Sequence, residues 1–260
     1  MRTIAKFWSF IKNAKEPDEV ELRVEGEIVS DDDSWIYEWL GIPAASPNAF
    51  RKELANHKGK NITVWIDSWG GDVFAAAGMY NALKEHKGKV TTKVDGKAVS
   101  AASVIAMAGD ELFMSPVSIM MIHNPWLMMA AGEAKDMRKS AEVLDEVKET
   151  IMNAYEQKTG KDRKAISDLM DEESWMSAKK AVNEGFADGV LYSESTETTV
   201  ENSYMLSGMA IQNSVDRSMQ KFFAQMKKMR PEPTLNKPNQ ALQANIRARQ
   251  RQLDLKFREV

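Results

Sequence analysis

From residue 16 to residue 195, strand patterns and helix patterns alternate along the chain. Segment 20–29 (VELRVEGEIV) alternates apolar and polar residues, as a half-buried strand does. Ser46-Pro47 reads as an N-cap and a first-turn proline, opening a helix through Phe50 and Leu54. A β-branched strand over 61–67 runs into Gly70-Gly71 and then a helix over 75–86. Strands follow at 89–94, 111–114 and 118–123, with a small-residue helix over 100–107 between the first two. The spacing of Met137, Ala141, Leu144, Val147, Ile151 and Tyr155 predicts one amphipathic stripe on a long helix over 133–158. Shorter helices at 163–170 and 178–184 and a last strand within 186–192 complete the region. Alternation of this kind predicts an α/β fold, a mainly parallel sheet covered by helices.

Composition narrows the chemistry. With 260 residues, 43% of them hydrophobic, the chain has enough material for one large core and an appendage. It has no Cys, which removes disulfides, thiolate zinc sites and a Cys nucleophile together, and is compatible with a reducing cytoplasm. Three His (His57, His86 and His123) are too few for a His-rich metal centre. His57 and His86 stand beside lysines and read as solvated residues at helix C-termini. No apolar run approaches the ~20 residues that span a bilayer. Residues 1–15 lack a signal-peptide apolar region, because Lys6, Lys12 and Lys15 interrupt Phe7, Trp8, Phe10 and Ile11; they read as a short amphipathic helix.

Charge divides the chain. The formal net charge is −3, yet residues 219–260 hold ten basic residues against Glu232, Asp254 and Glu259. Pro231, Pro233 and Pro238 form a linker within this segment. A polar stretch over 193–203 precedes it, so the expected division is an N-terminal segment 1–19, a domain 20–195 and a tail 196–260. Leu206, Met209, Val215, Met219, Phe222, Phe223 and Met226 lie near helical spacing. The tail is thus expected to hold a Met-rich helix and a basic arm, solvated or in contact with acidic proteins or DNA.

Four segments carry functional groups. Asp67-Ser68-Trp69-Gly70-Gly71 joins a strand to a helix, where paired glycines turn the backbone and expose N–H groups able to receive an oxyanion. Alone, this signals no more than a turn. In 96–103 (GKAVSAAS), Ser100 sits at a strand-to-helix junction among small residues. The helix start offers the Ala101 N–H and partial positive charge, although a plain Ser N-cap fits the same pattern. Ser103, one turn further on, reads as a packing residue. His123, in Met121-Ile122-His123-Asn124-Pro125, ends an apolar strand, a position suited to a rigid general base and equally to a structural His. Asp171-Glu172-Glu173 forms an acidic turn before Ser177, the expected N-cap of the next helix. One of its carboxylates is a candidate to orient His123.

In order and spacing, these segments resemble ClpP-type serine peptidases over residues 22–192. Gly96-Lys97-Ala98-Val99-Ser100 is similar to the family's nucleophile motif, and 121–125 to its histidine motif. Residues 67–71 are similar to its oxyanion-hole turn, and 173–178, continuing through Ala181-Val182 to Gly185, to its acid segment. The resemblance implies a ClpP/crotonase-like superhelical spiral of βαβ units with a protruding long helix. It implies catalysis by Ser100, His123 and an acid, Glu173 with Asp171 as its rival, and an oxyanion hole from the Gly71 and Ala101 N–H groups. Gly70, Trp69 and Trp126 are the candidate substrate-binding residues. A Ser-Lys dyad using Lys97 or Lys93 is the mechanistic variant.

The chain departs from the family pattern at four places. Glu173 stands for a usual Asp, Trp69 for a usual Pro and Asp67 for a usual Asn, while Asp72 is inserted after the double glycine. With the added tail, these departures resemble the phage branch, the head maturation (prohead) proteases. That branch implies an ATP-independent serine endopeptidase with no cofactor or metal. It would cleave capsid, portal or scaffold proteins as a homo-oligomeric ring, in the host cytoplasm or within the prohead. No membrane partner is expected, and nucleic acid only through the basic tail. The alternatives are a cellular-type ClpP working with an ATP-driven unfoldase, a crotonase-like acyl-CoA enzyme and a non-catalytic assembly protein.

Overall fold

The computed structural model describes residues 11–12 and 19–192. The expected Met-rich helix and basic arm of the tail lie outside these residues, as does most of the expected N-terminal helix. Where that N-terminal segment is described it is not helical. Ile11–Lys12 form β1, paired antiparallel with β2 (Glu19–Ile28). The exposed edge of β2 offers unpaired backbone groups, and the segment satisfies them as a strand.

In chain order, α1 (Ser34–Leu40), β3 (Ala44–Ala45) and α2 (Pro47–Ala55) follow. Then come β4 (Asn61–Gly71), α3 (Val73–Lys84), β5 (Val90–Val99), α4 (Ala101–Ala106), β6 (Glu111–Met114) and β7 (Ile119–Ile122). The domain continues with α5 (Ala134–Thr159), α6 (Arg163–Asp171), β8 (Ser174–Ser177), α7 (Ala178–Asn183) and β9 (Gly189–Val190). The main path of the sheet is β1-β2-β4-β5-β6-β9, with β3 on β2, and with β7 joining β5 to β8. Only β1 and β8 run antiparallel to their neighbours among the described strands. The fold is therefore α/β with a mostly parallel sheet, as the alternating patterns predict.

The core lies between the sheet and its helices. Leu22, Ile62, Val64, Ile66, Val94 and Leu112 from the strands meet Met79, Leu83, Ile105 and Tyr155 from the helices, all nearly inaccessible to solvent. The short central α4 is buried at every position, which explains its run of small residues. The predicted stripe on α5 is buried only in part. Val147, Ile151 and Tyr155 are buried, whereas no residue from 134 to 146 is. A helix of 26 residues is about 39 Å long, and the stripe therefore continues beyond the residues that meet the core.

The path of β5 builds the site. Val90–Val94 pair with β4 on one side, and Thr91–Val94 with β6 on the other. The register with β4 then shifts between Ile66 and Ser68, and beyond the shift β5 exchanges β6 for β7, pairing Lys97–Val99 with Ile119–Met121. Asp67 falls in this irregularity and its carboxylate receives the Lys97 ammonium. The same ammonium lies 5.2 Å from the centre of the Trp69 ring. Two of the family departures, Asp67 and Trp69, thus meet on one lysine. Asp72 has a local role: it N-caps α3, its side chain accepting the Ala75 N–H at 2.7 Å.

Candidate active site

Four adjacent strand ends carry the residues singled out by sequence. Ser68 of β4 pairs with Ala98 of β5, which places Gly70 beside Ser100. Val99 pairs with Met121 of β7, and the Ser100 N–H donates to the Met121 carbonyl at 2.9 Å. On the far side of β7, Ile122 pairs with Ser174 of antiparallel β8, which brings His123 and Glu173 to adjacent strand ends, near enough for the Glu173 charge to act on the imidazole. Ser100, His123 and Glu173 are distant in sequence and neighbours at one edge of the sheet. This edge, at the carboxyl ends of parallel strands, is where open α/β sheets bind ligands.

Ser100 Oγ and His123 Nε2 are 2.6 Å apart, within hydrogen-bond reach. Ser100 has φ 55° and ψ −127°, a region costly to a side-chain-bearing residue. Among the described residues only Ser100, Glu173 and Tyr192 are non-glycines with positive φ. Two of these three stand at this edge, and backbone strain persists where surrounding structure holds it and concentrates at functional sites.

The glycine turn is pressed against the serine. A Cβ on Gly70 would come within 2.6 Å of the Val99 carbonyl oxygen, 2.9 Å of the Ala101 nitrogen and 2.9 Å of Ser100 Cβ. With φ +95° at Gly70 and +139° at Gly71, only glycine fits this turn without strain. The Gly70 N–H donates to Ser68 Oγ at 3.0 Å, and Ser68 Oγ donates to the Gly26 carbonyl at 2.6 Å, so the turn is anchored to β2. Ala101 opens α4, where helix geometry provides its N–H with no intrahelical acceptor.

Burial pushes the His123 imidazole below its ordinary value, with the Glu173 charge acting in the opposite direction. The ring is therefore held as a neutral base near pH 7. Glu173 Oε1 accepts a long bond, 3.3 Å, from the Trp175 indole nitrogen. Asp171 is engaged elsewhere: its Oδ1 accepts from Lys148 Nζ at 2.6 Å and from Asn124 Nδ2 at 2.8 Å. Those partners, Lys148 foremost, hold its carboxyl below the usual range. Sequence offers the two carboxylates as rivals; in the structure the Glu173 charge acts on the His123 imidazole, while Asp171 bonds Asn124 and Lys148.

Both lysines of the dyad variant are also occupied. Lys97 is paired with Asp67, and Lys93 lies 5.1 Å from the centre of the Trp65 ring. Trp69 is half-buried beneath Lys97. Trp126 is 47% exposed on the loop that leaves β7, followed by exposed Leu127, Met128 and Met129. His86 follows the C-terminal end of α3, where its ring bonds the Lys60 carbonyl at 2.7 Å. His57 and His86 both lie outside the strand ends that hold Ser100 and His123.

Two features of the site escape the sequence reading. The acidic segment is expected as a turn leading to a helix, yet 174–177 is strand β8, too short for a periodic signal. Ser103 is expected to serve packing alone, yet its hydroxyl donates to the Ser100 carbonyl at 2.6 Å and lies 2.8 Å from the Tyr155 hydroxyl. Its i,i+3 spacing from Ser100 was the available signal.

Known proteins with the same sequence pattern share this region. The model of the Clp protease family matches residues 53–194, more than half of the chain. The ATP-dependent Clp protease proteolytic subunit 1 of Chlamydia caviae is 34% identical over 141 residues, covering 53% of this chain and 74% of that protein. Its Chlamydia abortus counterpart is 35% identical over 144 residues, 54% of this chain and 74% of that protein. An ATP-dependent Clp protease proteolytic subunit of Porphyromonas gingivalis is 33% identical over 135 residues, 51% of this chain and 60% of that protein. The matched region contains every strand end at which Ser100, His123, Glu173 and the glycine turn meet, and the chain belongs to the Clp protease family.

Proposed function

We propose that this protein is a serine endopeptidase in which Ser100 is the nucleophile, His123 the general base and Glu173 the residue that orients and stabilises the imidazolium. The 2.6 Å approach of Ser100 Oγ to His123 Nε2 carries this reading. In the mechanism, Ser100 Oγ attacks the scissile carbonyl as His123 Nε2 takes its proton. The Gly71 and Ala101 N–H groups receive the oxyanion. The imidazolium then returns the proton to the leaving amine, and water hydrolyses the acyl-enzyme by the same steps. Trp69, Gly70 and Trp126 line the approach to the serine.

A fluorophosphonate probe applied to the full chain tests this assignment directly. The label is expected on Ser100 and nowhere else, and it is expected to be lost in His123→Ala. Labelling that survives in His123→Ala would point to a lysine base instead.

The pH dependence has a defined sign. Catalysis needs neutral His123, and burial lowers its pKa, so the acidic limb of kcat/KM is expected below the ordinary histidine value of about 6.5. The Glu173 charge raises that pKa. Glu173→Gln is therefore expected to move the limb further towards acid. A limb that stays in place or moves towards neutrality in this variant would contradict the role given to Glu173.

For the substrate, the proposed reading is a phage-type prohead protease acting on capsid, portal or scaffold proteins. Trp69, the inserted Asp72 and the basic tail support it. The same reading includes stacked rings joined through α5, a superhelical spiral of βαβ units, and a protease domain ending near residue 195. The surface of residues 134–146, free of buried positions, suits such a contact. The relatives' own names support a second reading, a proteolytic subunit that works with an ATP-dependent partner. Among the described residues no helix is long and apolar enough to cross a membrane.

A further inference from the structure

We infer that Tyr155 and Ser103 form a hydroxyl relay that aims the oxyanion-binding N–H of Ala101, making both of them positioning residues for the peptidase reaction. The inference rests on the proposed function of Ser100 and adds to it a device within this chain's core.

The argument starts with one peptide group. The Ser100 carbonyl and the Ala101 N–H belong to the same planar trans amide and so point in opposite directions. Whatever fixes the carbonyl therefore aims the N–H. Two donors fix it: the Ser103 N–H at 2.9 Å and the Ser103 hydroxyl at 2.6 Å. Ser103 has a single hydroxyl proton, and that proton is committed to Ser100. The Tyr155 hydroxyl, 2.8 Å away, is accordingly the donor to Ser103 Oγ. The relay runs from Tyr155 O–H to Ser103 O–H to the Ser100 carbonyl, each donor polarising the next.

The surroundings make the relay rigid. Ser103 and Tyr155 are 0% and 1% exposed. The Tyr155 ring packs edge-on against Phe186, with centroids 5.8 Å apart. Tyr155 belongs to the buried half of α5, whereas Ser103 belongs to α4, so the long helix is coupled directly to the strained peptide behind the nucleophile. Ser100 needs such support, because φ 55° is not a conformation it would hold by itself. A buried hydroxyl pair placed for packing alone would not require the second bond to the carbonyl of residue 100.

The test compares Tyr155→Phe, Ser103→Ala and the double variant in full-length protein with a peptide substrate. Ser103→Ala leaves the Tyr155 hydroxyl buried without a partner and is open to loss of stability. The double variant removes both hydroxyls and leaves no orphan, so its thermal midpoint is expected near wild type. Its kcat is expected to fall about 10-fold at unchanged KM, a fraction of the loss on removing an oxyanion donor outright. Tyr155→Phe is expected to show a smaller fall, and the double variant no larger a fall than Ser103→Ala, because Tyr155 acts only through Ser103. The acidic limb of the pH profile should not move, since the relay leaves His123 untouched. An undiminished kcat in a folded double variant, beside a wild type that hydrolyses peptide through Ser100, would overturn the relay alone. A wild type with no Ser100-dependent hydrolysis would overturn the peptidase reading and the relay with it.

Discussion

Ser100→Ala is expected to lower peptide hydrolysis by ~10⁶-fold, the size of the loss when the nucleophile is removed from a Ser-His-acid triad. The hydroxyl is the only group of Ser100 that can form the acyl-enzyme, and no neighbouring side chain can replace it. Ser103 is one turn away, but its hydroxyl is buried and given to the Ser100 carbonyl. Lys97, the nearest amine in sequence, is held by Asp67. The fold should persist, because alanine fits the same space and the Ser100 N–H and carbonyl keep their partners, Met121 and Ser103. A stability change under about 1 kcal/mol is expected, as for a substitution that opens no cavity. Measuring turnover and the unfolding midpoint on the same preparation separates the two effects. Substantial residual turnover in folded Ser100→Ala would remove Ser100 from the mechanism.

Glu173→Gln is expected to cost ~10⁴-fold in kcat, the scale of loss when the acid of a triad is neutralised. The amide is nearly isosteric, so the backbone at residue 173 with φ 50° need not change. What is lost is the negative charge beside an imidazole that becomes positive in the transition state. Asp171→Asn provides the contrast. Its carboxylate bonds Lys148 and Asn124, and the side chain is 53% exposed. Its partner Lys148 is the more buried of the two, but Asp171 itself is half in solvent, where an ion pair contributes about 1 kcal/mol, so the variant should lose less than about 10-fold through looser positioning of the loop after His123. If Asp171→Asn proves the more damaging of the two, the acid has been assigned to the wrong carboxylate.

The site was legible in part for a physical reason. Ser100 and His123 stand at strand ends, and strand ends next to a helix start or a proline are marked locally by small residues and turn residues. The alternation of strands and helices was legible because burial on one face imposes a period on the sequence over ten residues or more. Shorter elements leave no such period. Strands β1 and β3 have two residues each and β8 has four, and none of them is expected from sequence. Their existence depends on an edge that another part of the chain provides. β8 decides the most, because its antiparallel register with β7 brings the Glu173 end of the acidic segment beside His123, while Asp171 at the end of α6 bonds Lys148. The half-exposed stripe of α5 has the same origin: periodicity marks an apolar face without saying what covers it.

The sequence by itself determined the α/β class, the order of most of the elements and the strand-end positions of Ser100 and His123. Tertiary structure alone decided which carboxylate's charge reaches the imidazole, and that Ser103 and Tyr155 stand behind the Ser100 carbonyl. Periodicity and turn chemistry act between residues close in the chain, and the sequence records them. Strand register and buried hydroxyl pairs join residues some 50 positions apart, and they exist only once the sheet has closed around them.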